Sequence, residues 1–147
     1  MPLNVELLES SFSRIEEQES KFMDHFYTHL FADYPEVKPL FTNTNMEKQA
    51  KQLFKSLVLV VKNLRSPDVL AKLLKGLGTR HVQYGVLPKH YPMVGGTLLK
   101  TFSICSGDAW THSIEQAWSE AYSIVTELML SGAEYSTEIL APHVQKD

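Results

Sequence analysis

The chain has 147 residues, 44% hydrophobic and 10% aromatic, with 21% charged and a formal net charge of −3. This is one domain's length of chain with apolar mass enough for its own core, and its mildly acidic balance lacks the basic excess of a nucleic-acid binder. The longest unbroken apolar run, Leu57 to Val61, is far too short to cross a membrane. The start MPLNVELLESSF lacks the pattern of a secretory signal, and the single cysteine, Cys105, permits no internal disulfide. The expectation is one cytoplasmic domain over residues 1–147, with no nucleic-acid or membrane partner.

Taken in order, the elements are helical almost throughout. Helices are predicted near residues 4–17 and 18–32, the second carrying Phe22, Phe26, Tyr27, Leu30 and Phe31 on one side. DYPEVKP, with Pro35 and Pro39, permits only a short helical turn at 35–41. A long middle helix is predicted over 45–63, its apolar residues falling at Leu53, Phe54, Leu57, Val58 and Val61, with Leu64 just beyond, at spacings of three and four. Ser66 and Pro67 read as the cap and first residue of a helix over 67–81, and Gly85 as its stop. Two more helices follow, over 89–104 and 109–131, and a loose tail after Gly132. No stretch alternates with period two, so the fold class is all-α with its core at about 5–131.

The stripe of the helix over 67–81 is Leu70, Leu73, Leu74, Leu77 and then His81, with Lys72, Lys75 and Arg80 off it. An inward histidine in that place is either a core residue satisfied by a carbonyl or a metal ligand. A zinc site is excluded by number, because it needs three or four ligands and no cysteine pair or HExxH is present. His25 and His29, four apart on one helix, have no third partner in view and read as a solvated face. Haem iron makes a smaller demand, since the porphyrin supplies four nitrogens and the protein need add only one. Haem also needs apolar walls and, opposite the ligand, hydrogen-bond donors from helices distant in sequence. Phe41, Tyr27, Gln49 and Leu53 are candidates, although Phe41, Leu53, Val94 and Leu98 would suit any helical core and Gln49 any surface.

DHFYTHLFADYPEVKPLF (24–41), QAKQLF (49–54), LGTRHVQYGVLPKHYPMVGGTLL (77–99) and AWSEAY (117–122) together resemble the globins. More narrowly they resemble the haem domain of flavohaemoglobins and single-domain bacterial haemoglobins, in one register over roughly residues 5–130. The joint order of Tyr27, Phe41, Gln49, Leu53, His81, Tyr91 and Trp118 carries the resemblance, and no single motif does.

The resemblance implies a globin fold, a three-over-three helical sandwich, holding haem b without a covalent bond. It implies that His81 is the proximal ligand to iron, that Phe41 stacks on the haem, and that Tyr27 and Gln49 are distal donors with Leu53 limiting the space. Arg80 is then placed to approach a propionate, Val86, Val94 and Leu98 to line the pocket, and Tyr91 to stand beside His81. Dioxygen, nitric oxide or another diatomic ligand is the implied partner. No histidine lies between Phe41 and Leu64, so the iron's sixth position is expected to be open or water-bound. Conversion of nitric oxide to nitrate with an external reductase is one implied activity; reversible oxygen storage or delivery, or gas sensing, is the alternative. One departure stands out. The glutamate that supports the proximal pair in flavohaemoglobins falls at Ala133 by this register, with Glu134 one residue beyond.

Overall fold

The turn signals become helix ends in the computed structural model, which describes residues 3–133. The helices are α1 (Val5–Glu16), α2 (Glu19–Asp33), α3 (Met46–Lys62), α4 (Pro67–Gln83), α5 (His90–Ser106) and α6 (His112–Gly132). Short 3-10 turns fill Pro35–Phe41 and Gly107–Ala109. No strand occurs among the described residues, and the architecture is all-α. No helix among these residues is long and apolar enough to cross a membrane. The expected loose tail lies, beyond Ala133, outside the described residues.

Local chemistry explains the boundaries. The side chains of Asn4, Asn45 and Thr111 accept hydrogen bonds from the backbone N–H groups of Leu7, Lys48 and Ile114, satisfying donors that a helix start otherwise leaves open. Ser66, expected to cap α4, makes no such bond; Pro67 begins the helix, its fixed φ and missing N–H being suited to that position. α4 runs two residues past His81 and stops where Gly85 takes a φ of 86°. The Val86 N–H then donates to the His81 carbonyl at 3.0 Å, tying the turn to the end of the helix. α6 starts three residues later than its spacing suggests, because Gly107, with φ 56°, turns the chain through the short 3-10 segment first.

An aromatic core joins five of the six helices. Phe12 of α1 stacks on Phe54 of α3 at 5.7 Å, Phe22 of α2 meets Phe102 of α5 at 5.0 Å, and Phe102 stacks on Trp118 of α6 at 4.5 Å. The Trp118 indole N–H, buried here, donates to Ser11 Oγ at 2.8 Å, as a buried indole must find a partner. Cys105 is a buried, unbridged thiol pushed up by burial, in keeping with a packing role.

The sixth helix, α4, is held differently. It rests almost wholly on α6 and barely touches α3, although the two follow one another in the chain. The crossing depends on glycine: a Cβ on Gly78 would meet the Met129 carbonyl oxygen at 1.9 Å, and one on Gly132 the Lys75 oxygen at 2.4 Å. Thr79 Oγ1 adds a hydrogen bond to the Gly132 carbonyl at 2.6 Å. α3 is fixed to α1 and α2 instead, so a cleft opens between α3 and α4.

The turn from α4 to α5 is pinned by His90. Its ring is buried, and Nδ1 accepts the Leu87 N–H at 2.9 Å. Burial, with Lys89 beside it, holds this imidazole below its usual 6.5, while Glu36 pulls the other way.

Two predictions concern this architecture. Gly78→Ala forces the α4–α6 crossing apart and is expected to cost about 1–3 kcal/mol or more in urea unfolding, whereas Gly96→Ala, with nothing within 4 Å of the added carbon, leaves stability unchanged or slightly raised. Equal effects would contradict the close crossing. The second concerns pH. A folded-state value below 6.5 means that the unfolded chain takes up the proton first on acidification. The stability His90 supplies is therefore complete above that value and declines as pH falls through the folded one. His90→Gln should cost about 1 kcal/mol of unfolding free energy in urea at neutral pH, and shrink the further loss on mild acidification. An undiminished acid loss in the variant would refute this role for His90.

Candidate functional site

The cleft walls are built from both sides. On the α2–α3 side, Tyr27 stands at the centre of an aromatic group, its ring 5.8 Å from Phe41, 5.8 Å from Phe31 and 4.9 Å from Phe26. Phe31 and Phe41 also meet edge to face at 5.5 Å. The two-proline turn explains this contact, because the 3-10 segment Pro35–Phe41 folds the chain back and delivers Phe41 against the α2 face that it has just left. Gln49, one turn into α3, lies close enough to the Tyr27 phenol to act on its ionisation, and Leu53 lies one turn further along the same helix, half-buried. Burial pushes the Tyr27 phenol up to about 12, the nearby Gln49 amide offsetting only part of that shift. Tyr27 is thus a neutral O–H at physiological pH and able to donate.

On the α4–α5 side, His81 Nδ1 lies 2.8 Å from the Leu77 carbonyl, one turn back in its own helix. A carbonyl only accepts, so Nδ1 carries the proton and the lone pair resides on Nε2. Burial lowers the His81 pKa, the Leu77 bond raises it and Arg80 lowers it, in that order of size. Tyr91 lies beside it, with ring centroids 6.4 Å apart. Tyr91 is in turn seated by α6: the Tyr122 hydroxyl donates to the Tyr91 carbonyl at 2.7 Å. The Tyr122 ring packs so close over Gly95 that a Cβ there would come within 2.3 Å of it.

The residues named from the sequence thus fall into two groups. The structure brings Tyr27, Phe41 and Gln49 into contact, and His81 with Tyr91. Val86 and Val94 are half-buried near them, whereas Leu98 is 6% exposed and belongs to the core. Arg80 is exposed, and its Nη1 lies back along α4, 3.7 Å from the position of a Cβ on Gly76. His25 and His29 stack at 6.0 Å on α2, half-buried rather than fully solvated. Ala133 follows the end of α6 and offers no carboxylate to His81, leaving the Leu77 carbonyl as its orienting acceptor; Glu134 lies outside the described residues. Sequence reasoning gave no role to Phe31, to Tyr122 or to His90. The i, i+4 spacing of Tyr27 and Phe31 was the available signal for the first; the others depend on pairings between distant segments.

These features would fit a flat apolar ligand whose metal needs one protein donor. Tyr27, Phe31, Phe41, Leu53, Leu77, Val86 and Val94 are apolar or aromatic yet only partly buried, as walls of a cleft must be. A histidine with a free lone pair on Nε2 is one donor, the number a porphyrin iron requires. No cluster of three or more metal-ligating side chains occurs among the described residues, so a bare ion has no comparable site there.

Comparison with known proteins agrees. The Globin family model matches residues 24–129, and the chain belongs to that haem-binding family. It is 28% identical to the flavohemoprotein of Bacillus subtilis over 128 residues, covering 86% of this chain and 32% of that protein. It is 35% identical to the flavohemoprotein of Deinococcus radiodurans over 107 residues, covering 71% of this chain and 27% of that one. The chain thus spans about a third of the length of these relatives. Among solved structures, a bacterial globin from Campylobacter jejuni superposes with a TM-score of 0.73 at 27% identity, over 87% of this chain and 92% of its own. A hexacoordinated haem protein from an anhydrobiotic tardigrade shares the fold at a TM-score of 0.78 and 20% identity, over 85% of this chain and 89% of its own.

Proposed function

We propose that the chain holds haem b in the cleft between α3 and α4, with His81 Nε2 as the iron's protein ligand and Phe41 stacked on the ring. Val86 and Val94 line the cavity, Leu98 backs it from the core, and Arg80 swings from α4 to meet a propionate. Haem supplies the redox-active iron at which a diatomic molecule is held. The function is reaction of dioxygen with nitric oxide to give nitrate, with one electron per turnover from an external reductant.

The observation that carries this reading is the Tyr27–Gln49 pair. Two hydrogen-bond donors lie close together, one a phenol kept protonated by burial, and in this reading they face the ligand from the side opposite His81. A polar diatomic ligand receives hydrogen bonds there, each worth about 1–3 kcal/mol when the acceptor carries charge. Such holding slows release and favours reaction over delivery. Leu53 restricts the space beside the donors. The Leu77 carbonyl fixes the plane and tautomer of His81, as partners of metal-ligating histidines do.

Reversible oxygen binding is the second reading, and the partner of His81 favours it. Among the described residues the acceptor on His81 is the Leu77 carbonyl, and a carbonyl leaves the imidazole a weaker electron donor than a carboxylate does.

The test is made on haemin-reconstituted protein. His81→Ala is expected to lose stable haem retention, while Tyr27→Phe keeps haem and releases oxygen about tenfold or more faster, as the loss of one such bond implies. Mixing the oxygenated protein with nitric oxide should give stoichiometric nitrate within the mixing time. Slow or absent nitrate with fast oxygen release would establish the binding reading in its place. Unchanged oxygen release in Tyr27→Phe would remove the phenol from the site.

A further inference from the structure

The net charge of −3 conceals a segregation. Eleven of the 14 lysines and arginines lie between Val37 and Lys100, with only Glu47 and Asp68 of the 17 acids. The acids crowd instead into α1, α2 and α6 and the segments beside them. On α3, Lys48, Lys51, Lys55 and Lys62 fall on one exposed stripe, and on α4 Lys72 and Lys75 are likewise exposed. Among the described residues the ion pairs are Arg65 with Glu9 and Lys100 with Asp33, so none of these six lysines is neutralised by a neighbour. The same two helices and the turn after them carry four of the five large apolar side chains left exposed: Leu59 at 39%, Val69 at 49%, Leu73 at 39% and Tyr84 at 67%. α3 and α4 are also the two walls of the cleft that holds Gln49, Leu53 and His81.

We propose that this α3–α4 face docks an acidic protein, the electron donor that returns the site to its reduced state. The inference rests on the one-electron requirement of the function proposed above. Apolar contact points interspersed with unpaired like charges on the same two helices are the composition of a protein interface whose charges set orientation and on-rate. Lysines on flexible stems steer an acidic surface without demanding a fixed geometry, which suits a brief electron-transfer encounter of small area. The same charge would attract a polyanion, but two features favour a compact partner. A nucleic acid or an anionic membrane extends beyond the face and meets the acidic helices α1, α2 and α6, which repel it. Phosphates also have no use for Leu59, Val69 and Leu73, and no stacking platform of aromatic side chains is present on the stripe to hold bases. Docking here sets the donor on the outer faces of the two helices that carry Gln49, Leu53 and His81, across a single helix from a group bound between them.

The test uses full-length haemin-reconstituted protein in the oxidised state and a reduced acidic flavodoxin as the probe, mixed rapidly at low and at high salt. The reduction rate is expected to fall at least about tenfold from low to high salt. The double reversals Lys51→Glu with Lys55→Glu, and Lys72→Glu with Lys75→Glu, should each lower the low-salt rate about tenfold. The reversal Glu16→Lys with Glu17→Lys at the end of α1 should not lower it. Reduction by neutral photoreduced riboflavin should be the same in all four proteins, which separates docking from damage to the site. Rates indifferent to salt and to the α3–α4 reversals would overturn the proposal. So would low-salt self-association abolished by those reversals, or tighter binding to duplex DNA or phosphatidylserine vesicles than to the flavodoxin. If nitrate fails to form while reduction shows the expected salt and charge dependence, the catalytic reading fails and the docking face stands; failure to hold haem would sink both.

Discussion

The site depends on a helix held from one side only. α4 carries His81, and its attachment to the molecule is the close crossing with α6, where Gly78 and Gly132 let backbone meet backbone and Thr79 closes the contact with a hydrogen bond. Contact that tight fixes the position of α4 without any help from α3. The aromatic core, running from Phe12 through Phe54, Phe22 and Phe102 to Trp118, fixes α3 by a separate route. Two walls anchored independently leave a gap that neither can close, and the apolar side chains along it remain only partly buried. Close packing elsewhere is what makes this gap stable, since a core with slack would collapse into it.

Within the gap, burial sets the protonation states and hydrogen bonds set the direction. Burial keeps Tyr27 protonated and His81 neutral, so one wall offers a donor and the other a lone pair. The Leu77 carbonyl assigns the proton of His81 to Nδ1, leaving Nε2 for coordination. Tyr122 seats Tyr91 beside that ring from α6, so the helix that anchors α4 also shapes the floor near the histidine. Outside, the segregated charge gives α3 and α4 basic exposed faces on an acidic molecule.

Much of this was legible in the sequence, and what was not has a common cause. Helical stripes at spacings of three and four are local, so the six helices and the two-proline turn could be placed within a few residues. His81 could be seen to point inward, but one inward histidine has too many uses; its meaning came only with the joint order of Tyr27, Phe41, Gln49 and Tyr91. The glycine crossings could not be read, because Gly78 looks like an ordinary helix-weakening residue until Met129, 51 positions away in sequence, is known to lie against it. The same holds for Tyr122 and Tyr91. The late start of α6 was missed because Gly107 and a single 3-10 turn take up residues whose spacing still looks helical. Charge segregation was present in the sequence but vanishes in a net value, which averages a basic middle against acidic ends.

The central claim is that His81, oriented as a neutral imidazole by the Leu77 carbonyl, is the iron's protein ligand with the opposite position left to Tyr27 and Gln49. The most direct measurement is the resonance Raman spectrum of the haemin-reconstituted, ferrous, ligand-free protein. The account predicts a five-coordinate high-spin iron with an iron–histidine stretch at the frequency of a neutral, carbonyl-bonded imidazole, absent in His81→Gly and restored by added imidazole. A six-coordinate low-spin spectrum, or an iron–histidine stretch that survives in His81→Gly, would contradict it.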